Sequence, residues 1–362
     1  MTVYLGKNPV GVGRIVVVEK PVVSDEWQPN PNWWDIRKIL DEDTRDYAGK
    51  VGVILYNFND VSDFQLSSYG MTAVATSDGA FYTYADNGST VSHNWDTSKD
   101  KDDGRGFKTR WVIYYYTTDT TSDVFMQSDT KFGWTYNYIA YLVLRINCSS
   151  GSYFCDSQRL LEAIDNVGHV ISGTNFSSFC STCYTITKFP DGLDTSNGTN
   201  FSSFCSYCYT LTKLPDGLDT SNGTNFSSFC SYCYTLTKLP DGLDTSNGTN
   251  FSSFCSTCSS LQGTSEITMS ANTTAIASKS LGPFKSNNWL KTIYLTLPSN
   301  TNFWLDMSTR ISIESFRYIA DHAPDVTATP RTLTVGSTNI SRINEADPTI
   351  ITDLNAKGWT VA

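Results

Sequence analysis

Between residues 50 and 146 the apolar positions come in short, partly alternating runs: KVGVILYNF, MTAVATS, AFYTYA, RWVIYYYTT, DVFMQ and YIAYLVLRI. Turn-prone clusters separate them at Ser77-Asp78-Gly79, Asp86-Asn87-Gly88 and Asp102-Asp103-Gly104. Short runs rich in β-branched and aromatic residues predict strands, and the simplest assembly of so many is a β-sandwich. The opening stretch MTVYLGKNPVGVGRIVVVEK is also Val-rich and alternating. It predicts a β-hairpin or arm broken near Gly11-Val12-Gly13. Between the two, Trp34, Ile36, Ile39 and Leu40 carry apolar side chains through a short predicted helix, from about residue 33 to 40, that ends in acidic residues.

The period changes after residue 150. In SQRLLEAIDNV, Leu160, Leu161, Ile164 and Val167 share one face of a predicted helix. An internal repeat of 25 residues follows, with copies beginning at Gly173, Gly198, Gly223 and Gly248. NFSSFCSYCYTLTKLPDGLDTSNGT occurs at residues 200–224 and again, unchanged, at 225–249. The first copy differs from this pair at Thr182, Ile186 and Phe189, and the fourth drifts after Cys258. Within one copy Phe201, Phe204, Cys205 and Cys208 stand at i, i+3, i+4 and i+7, one face of two helical turns that Thr199 or Asn200 can cap. Leu211 and Leu214 predict a short extended stretch, and Pro215-Asp216-Gly217 and Asn222-Gly223 predict turns. One coil cannot bury this apolar set alone, whereas stacked coils can, which makes a solenoid with a divergent last copy as its cap. Toward the C-terminus SIESFRYIADHA predicts a helix capped by Ser312, RTLTV a strand, and NEADPTIITDLNAKGW a helix with Pro348 in its first turn. Gly358 closes that helix and Trp359 is placed to fold back on it.

The expected fold is therefore mixed β and α/β. It comprises an N-terminal β arm for attachment (1–24), a β-sandwich-like domain (25–150), a repeat solenoid (151–298) and a small α/β C-terminal cap (299–362).

The cysteines decide whether the repeats do chemistry. Cys180, Cys183, Cys205, Cys208, Cys230, Cys233, Cys255 and Cys258 recur with the repeat and point inward on the predicted face. As small buried hydrophobes they form a structural ladder. A zinc site competes with this reading, because two Cys-x-x-Cys pairs separated by one repeat fall within zinc-ribbon spacing. Flanking Phe and Leu would surround such a metal with hydrocarbon. A disulfide framework is the third reading, although cysteines at i and i+3 of a helix are badly aimed at one another. Cys148 and Cys155 flank a turn and are expected as two thiols, able to pair if oxidised. No metal or other cofactor is expected.

Tyr207 lies between the two inward cysteines and so points outward. Tyr184, Tyr207, Tyr209, Tyr232 and Tyr234 recur at matching positions, a candidate ligand-binding face able to hold sugar rings or a protein by ring faces and hydroxyls.

The full chain has 362 residues, room for roughly two or three domains. Charged residues make up only 17%, aromatics 13%, and the net charge is −10 with scattered Lys and Arg. That argues against a nucleic-acid partner, which calls for a basic stripe. No apolar run of about 18 residues occurs, so no membrane insertion is expected. The N-terminus lacks a charged stretch leading into an apolar one, so synthesis in a cytoplasm without general secretory export is expected, with the cysteines initially reduced. Catalytic motifs are missing around His93, His169 and His322. Asp100, Asp102 and Asp103 depart from the EF-hand pattern and predict a solvated turn, and Asp41, Glu42 and Asp43 a solvated helix end.

GTNFSSFCSYCYTLTKLPDGLDTSN resembles the BspA-like leucine-rich repeat. Phe201 and Phe204 take its two apolar positions, Cys208 its cysteine, and Leu211 and Leu214 its leucines, while Cys205 stands where the family usually has an aromatic. The resemblance implies a leucine-rich-repeat binding scaffold of bacterial and phage surface proteins, with no catalytic residues. The first residues also resemble the short β arm of phage tail-fibre and other virion proteins. TLTVGSTNISRINEADPTIITDLNAKGWTVA is similar to the C-terminal segment of repeat-bearing phage structural proteins.

Taken together these imply a non-enzymatic bacteriophage virion protein at the virion surface: a fibre, head-decoration or receptor-binding component. Residues 1–24 would join it to other virion proteins or to itself as a trimer, and the solenoid would meet a host-surface glycan or protein. A bacterial cell-surface adhesin with the same repeats is the alternative, and a glycan-processing enzyme on the sandwich domain the third reading.

Overall fold

The computed structural model describes residues 4–6, 14–16, 30–43, 52–58, 63–65, 67–68, 71–79, 90–116, 139–144, 149–166, 170–190, 192–215, 217–269, 273 and 279–362. The chain divides into two compact units, Met1–Pro31 and Asn32–Ala362. In the first, β1 (Tyr4–Gly6) and β2 (Arg14–Val16) pair antiparallel with Leu5 opposite Ile15. Gly11-Val12-Gly13 lies outside the described residues.

The second unit opens with α1 (Ile36–Asp41), whose cap Asp35 accepts from the Lys38 N–H. Then come β3 (Gly52–Phe58), β4 (Asp63–Gln65), β5 (Ser67–Ser68), β6 (Met71–Thr76), β7 (Thr90–Ser92), β8 (Lys101–Asp102), β9 (Lys108–Tyr116), β10 (Ile139–Leu144) and β11 (Ala163–Asp165). A seven-stranded sheet runs β11-β10-β3-β9-β6-β5, with β8 added to β9, and β4 pairs with β7 apart from it. All these pairs are antiparallel except β10 with β11. The described strands thus give one sheet and a small pair where the sequence predicts a sandwich. The runs AFYTYA and DVFMQ lie outside the described residues.

The solvated turn expected of Asp100, Asp102 and Asp103 does not form as such. β8 folds back along β9, setting Lys101 opposite Thr109. That carries Asp100 onto Arg110, which donates to both carboxylate oxygens at 2.8 Å with the pair almost wholly buried. Asp103 is buried too and accepts from the Arg105 and Phe107 N–H groups. Asp102 alone of the three is exposed.

From residue 149 the chain winds in stacked coils. Alternate N–H groups donate to the next coil: Phe201 to Asn225, Ser203 to Ser227, Cys205 to Phe229 and Tyr207 to Ser231, at 2.8 to 3.0 Å. Between them Phe204 and Ser206 close local turns onto Phe201 and Ser203. The helix expected over residues 201–208 is therefore replaced by two tight turns. Ser203 and Tyr207 take left-handed backbone (φ 54° and 62°), which re-aims the N–H groups from their own coil to the next one. Two such turns keep the same apolar residues inward. Asn200 accepts from the Ser202 N–H at the start of this segment.

The helix expected in SQRLLEAIDNV is likewise absent. Tyr153, Cys155 and Ser157 donate to Ser177, Phe179 and Ser181, so residues from 149 form one more coil, which ends in β11. β11 serves two masters: it pairs with β10 on one side, and Ala163 bridges Lys188 of the next coil on the other. A continuous buried cluster accordingly runs from Val112 and Tyr114 in the sheet through the stacked phenylalanines to Trp359. Gly223 shows how tight the coils are, since a Cβ there would lie 2.3 Å from the Phe226 ring.

Beyond the repeats come β12 (Gly263–Thr268), β13 (Thr292–Thr296), β14 (Phe303–Trp304), α2 (Ile313–His322), β15 (Arg331–Thr334), α3 (Ser337–Ala346), α4 (Thr349–Ala356) and β16 (Trp359–Val361). β12 and β13 pair parallel, as do β14, β15 and β16 in that order. Ser312 accepts from the Ser315 N–H at the head of α2. In place of the single helix expected around Pro348, two form. Proline has no N–H to continue α3, and it stands at the cap of α4 rather than in its first turn. Trp359 is buried, its indole donating to the Pro324 carbonyl at 3.0 Å. No described helix is long and apolar enough to cross a membrane.

Candidate functional site

The eight repeat cysteines lie fully buried inside the stack. The second cysteine of each copy donates its S–H to the carbonyl of a cysteine one coil earlier. Cys183 reaches Cys155 at 2.8 Å, Cys208 reaches Cys180 at 3.1 Å, Cys233 reaches Cys205 at 3.1 Å and Cys258 reaches Cys230 at 3.0 Å. Each thiol thus fills core volume and satisfies an inward carbonyl. In the other column the Cys230 and Cys255 sulfurs approach to 2.7 Å. Burial pushes Cys180, Cys205, Cys208 and Cys230 well above the ordinary thiol range, and Cys255 up to about 12. Such thiols are poor nucleophiles. Past the last cysteines Asn287 takes over, accepting from the Cys258 N–H and donating to the Cys255 carbonyl. Among the described residues no group of three His, Cys, Asp or Glu is placed to hold a metal. Cys148 lies outside them.

The tyrosines gather on the outside in two columns. Tyr184, Tyr209 and Tyr234 stack with ring centroids 4.5 and 4.9 Å apart. Tyr207 and Tyr232 stack beside them at 4.5 Å and nearly parallel. The columns meet edge to face, Tyr207 on Tyr209 and Tyr232 on Tyr234, each at 6.3 Å. Arg159, from the first coil, sits over the open face of Tyr184 at 5.4 Å. The sequence reading of residues 157–167 as helix hid this arginine, although it precedes Tyr184 by one 25-residue period.

This geometry changes what the ridge can do. Tyr209 spends both ring faces on Tyr184 and Tyr234, and Tyr207 and Tyr232 spend one face each on the other, so the middle of the ridge presents ring edges and hydroxyls. Close packing of the rings, and then the neighbouring phenols, hold the Tyr207 and Tyr209 hydroxyls above their ordinary pKa, as proton-bearing groups. Tyr207 and Tyr232 also sit in left-handed backbone, which costs any non-glycine residue on the order of 1–3 kcal/mol. The matching positions of other coils carry Ser157, Thr182, Thr257 and Ser286 with φ near 60°. The coil geometry therefore does not call for tyrosine there.

Of the three histidines, His93 meets Asp78, fifteen positions away in sequence, at 2.8 Å. That carboxylate also accepts from the Thr76 hydroxyl and the Asp96 N–H. Burial works against its charge, but these bonds outweigh burial and hold Asp78 below the ordinary carboxylate range. His322 bonds the Tyr318 carbonyl and stacks on the Tyr318 ring. His169 lies outside the described residues.

Compared with known protein families, with curated proteins and with solved structures, the chain matches none of them. The likeness of the repeats to the BspA-like leucine-rich repeat rests on their residues alone.

Proposed function

We propose that this protein is a non-enzymatic structural component of a bacteriophage virion, a fibre, head-decoration or receptor-binding protein. Residues 1–24 hold it to the particle, and a leucine-rich-repeat-like solenoid displays the tyrosine ridge to the host surface. The observation that carries the reading is the stacked pair of exposed Tyr207 and half-buried Tyr232, at a left-handed position that other coils fill with Ser or Thr. Tyrosine gives large, rigid contact area and hydroxyls for little side-chain entropy, which suits a recognition surface. With both faces of Tyr209 and one face each of Tyr207 and Tyr232 occupied by neighbouring rings, the ridge favours a protein surface over sugar rings. The β1–β2 hairpin belongs to the first compact unit, Met1–Pro31, and since a two-stranded hairpin is marginal in water by itself, this reading gives it a partner strand or chain. A trimer is the first arrangement to examine.

The test is particle assembly. Deleting residues 1–24 should leave the stack folded by circular dichroism and strip the protein from purified particles. Immunogold label on the cell envelope with none on particles would sink the virion reading in favour of an adhesin. Separately, the Tyr207→Ala/Tyr232→Ala variant should lose about tenfold or more in apparent affinity for host cells, since central interface tyrosines carry energy on this scale. Unchanged adsorption would remove the ridge from the account.

A further inference from the structure

Where the repeat pattern fails, the molecule opens a groove of about 700 Å³. Three copies carry a lysine in register, Lys188, Lys213 and Lys238. The next position in that column is Gly263, which bridges Lys238 in parallel. Gly263 lets the Thr292 hydroxyl of the following coil come close, a Cβ there falling 2.6 Å from it, and the groove is lined by Lys238 on one side and Lys291 on the other.

The walls hold polar groups of both signs beside an aromatic ring. Lys238 bonds Asp241 at 2.8 Å, and Lys291 reaches the Gln262 amide oxygen at 3.5 Å. Glu266 and Tyr294 complete the lining. Tyr294 is 37% exposed and is held edge to face by Tyr318 at 5.2 Å. Tyr318 is in turn stacked on His322, so the platform has a rigid support. Thr264 also lines the groove, and its hydroxyl is buried without a hydrogen-bond partner among the described residues.

The two ammonium groups and two carboxylates cancel. A phosphate or nucleic acid would want net positive charge. A neutral ring with an apolar face and many hydroxyls fits better. We propose that this groove is a saccharide-binding site: a neutral sugar ring lies against Tyr294, its hydroxyls accepting from Lys291 and Gln262 and donating to Asp241 and Glu266. The site is separate from the tyrosine ridge and does not depend on it.

Saturation-transfer NMR and calorimetry on the full chain test this with three ligands: cellotriose, the trimer of N-acetylglucosamine, and trigalacturonate as the anionic arm. At least one neutral trisaccharide should bind. Gly263→Lys restores the residue of the other copies, refills the groove and should abolish binding. A Cβ there lies 2.6 Å from the Thr292 hydroxyl, so a melting curve accompanies it. Tyr294→Ala, free of that strain, should weaken binding by about tenfold or more. Tyr207→Ala/Tyr232→Ala should bind as the parent does. The proposal is overturned if neither neutral sugar binds, if trigalacturonate alone binds, or if binding survives both groove variants.

Discussion

Between about pH 9 and pH 12, in the presence of reductant, the coil stack should lose most of its stability. The cause is the buried thiols. In the unfolded chain Cys255 ionises near the ordinary value of 9.0, whereas in the folded stack burial holds it protonated up to about 12. Below 9.0 both states keep the protons and stability is flat. Above it the unfolded state holds fewer protons than the folded one, so stability falls as pH rises, until the folded thiols titrate in turn. Each thiol can withdraw about 1.4 kcal/mol per pH unit, so Cys255 alone accounts for roughly 4 kcal/mol across its window. Cys155, Cys180, Cys205, Cys208 and Cys230 are shifted the same way. Against a typical net stability of about 5–15 kcal/mol, a few such groups suffice. The Tyr207 and Tyr209 hydroxyls act in the same direction but are too accessible to solvent to contribute much. Melting curves followed by circular dichroism at successive pH values give the answer. A melting temperature that stays level through pH 10.5 would refute the linkage.

The inward face of the repeats could be read from spacing because it depends on which residues are apolar, and Phe201, Phe204, Cys205, Cys208 and Leu211 are all buried. The conformation could not. A helix and a pair of tight turns place i, i+3, i+4 and i+7 on the same side, and the left-handed residues that decide between them are Ser and Tyr rather than the glycines that usually announce them. The extra coil from residue 149 was hidden for a different reason. Gly151 replaces the phenylalanine of later copies because the Phe176 ring occupies its place, a Cβ there falling 2.2 Å from that ring. Gln158 likewise stands where later copies have Cys183. The trace that remains is Ser152, Phe154, Cys155 and Leu161, one period before Ser177, Phe179, Cys180 and Ile186. Sheet order, the Asp100–Arg110 pair and the Asp78–His93 pair are nonlocal, and local pattern carries no signal for them. The groove did leave a trace, as the break at Gly263 in a column of lysines, but a missing lysine points to a site only once the walls around it, Lys238, Lys291 and Tyr294, are seen together.

Replacing Phe204 by Ala should cost about 3–5 kcal/mol, the range for a fully buried phenylalanine. Its ring is central to the stack. It lies 5.2 Å from Phe179 and 5.5 Å from Phe229, nearly parallel to both, and also touches Phe189 and Phe201. The Ser203 and Cys205 N–H groups that reach the next coil flank it on both sides, so the backbone cannot close the hole without breaking that ladder. In a stack each coil is stabilised chiefly by its two neighbours, so a weak interface in the middle should also divide the cooperative unit. Urea titration should therefore show a lower first midpoint and a second, later transition from the coils on the far side of the break. Phe204→Leu keeps most of the volume and should cost less than about 2 kcal/mol, with a single transition retained. Should Phe204→Ala unfold in one step at nearly the parent midpoint, the stacked phenylalanines would not be what binds coil to coil, and the backbone ladder through Ser203, Cys205 and Tyr207 would have to supply that cohesion.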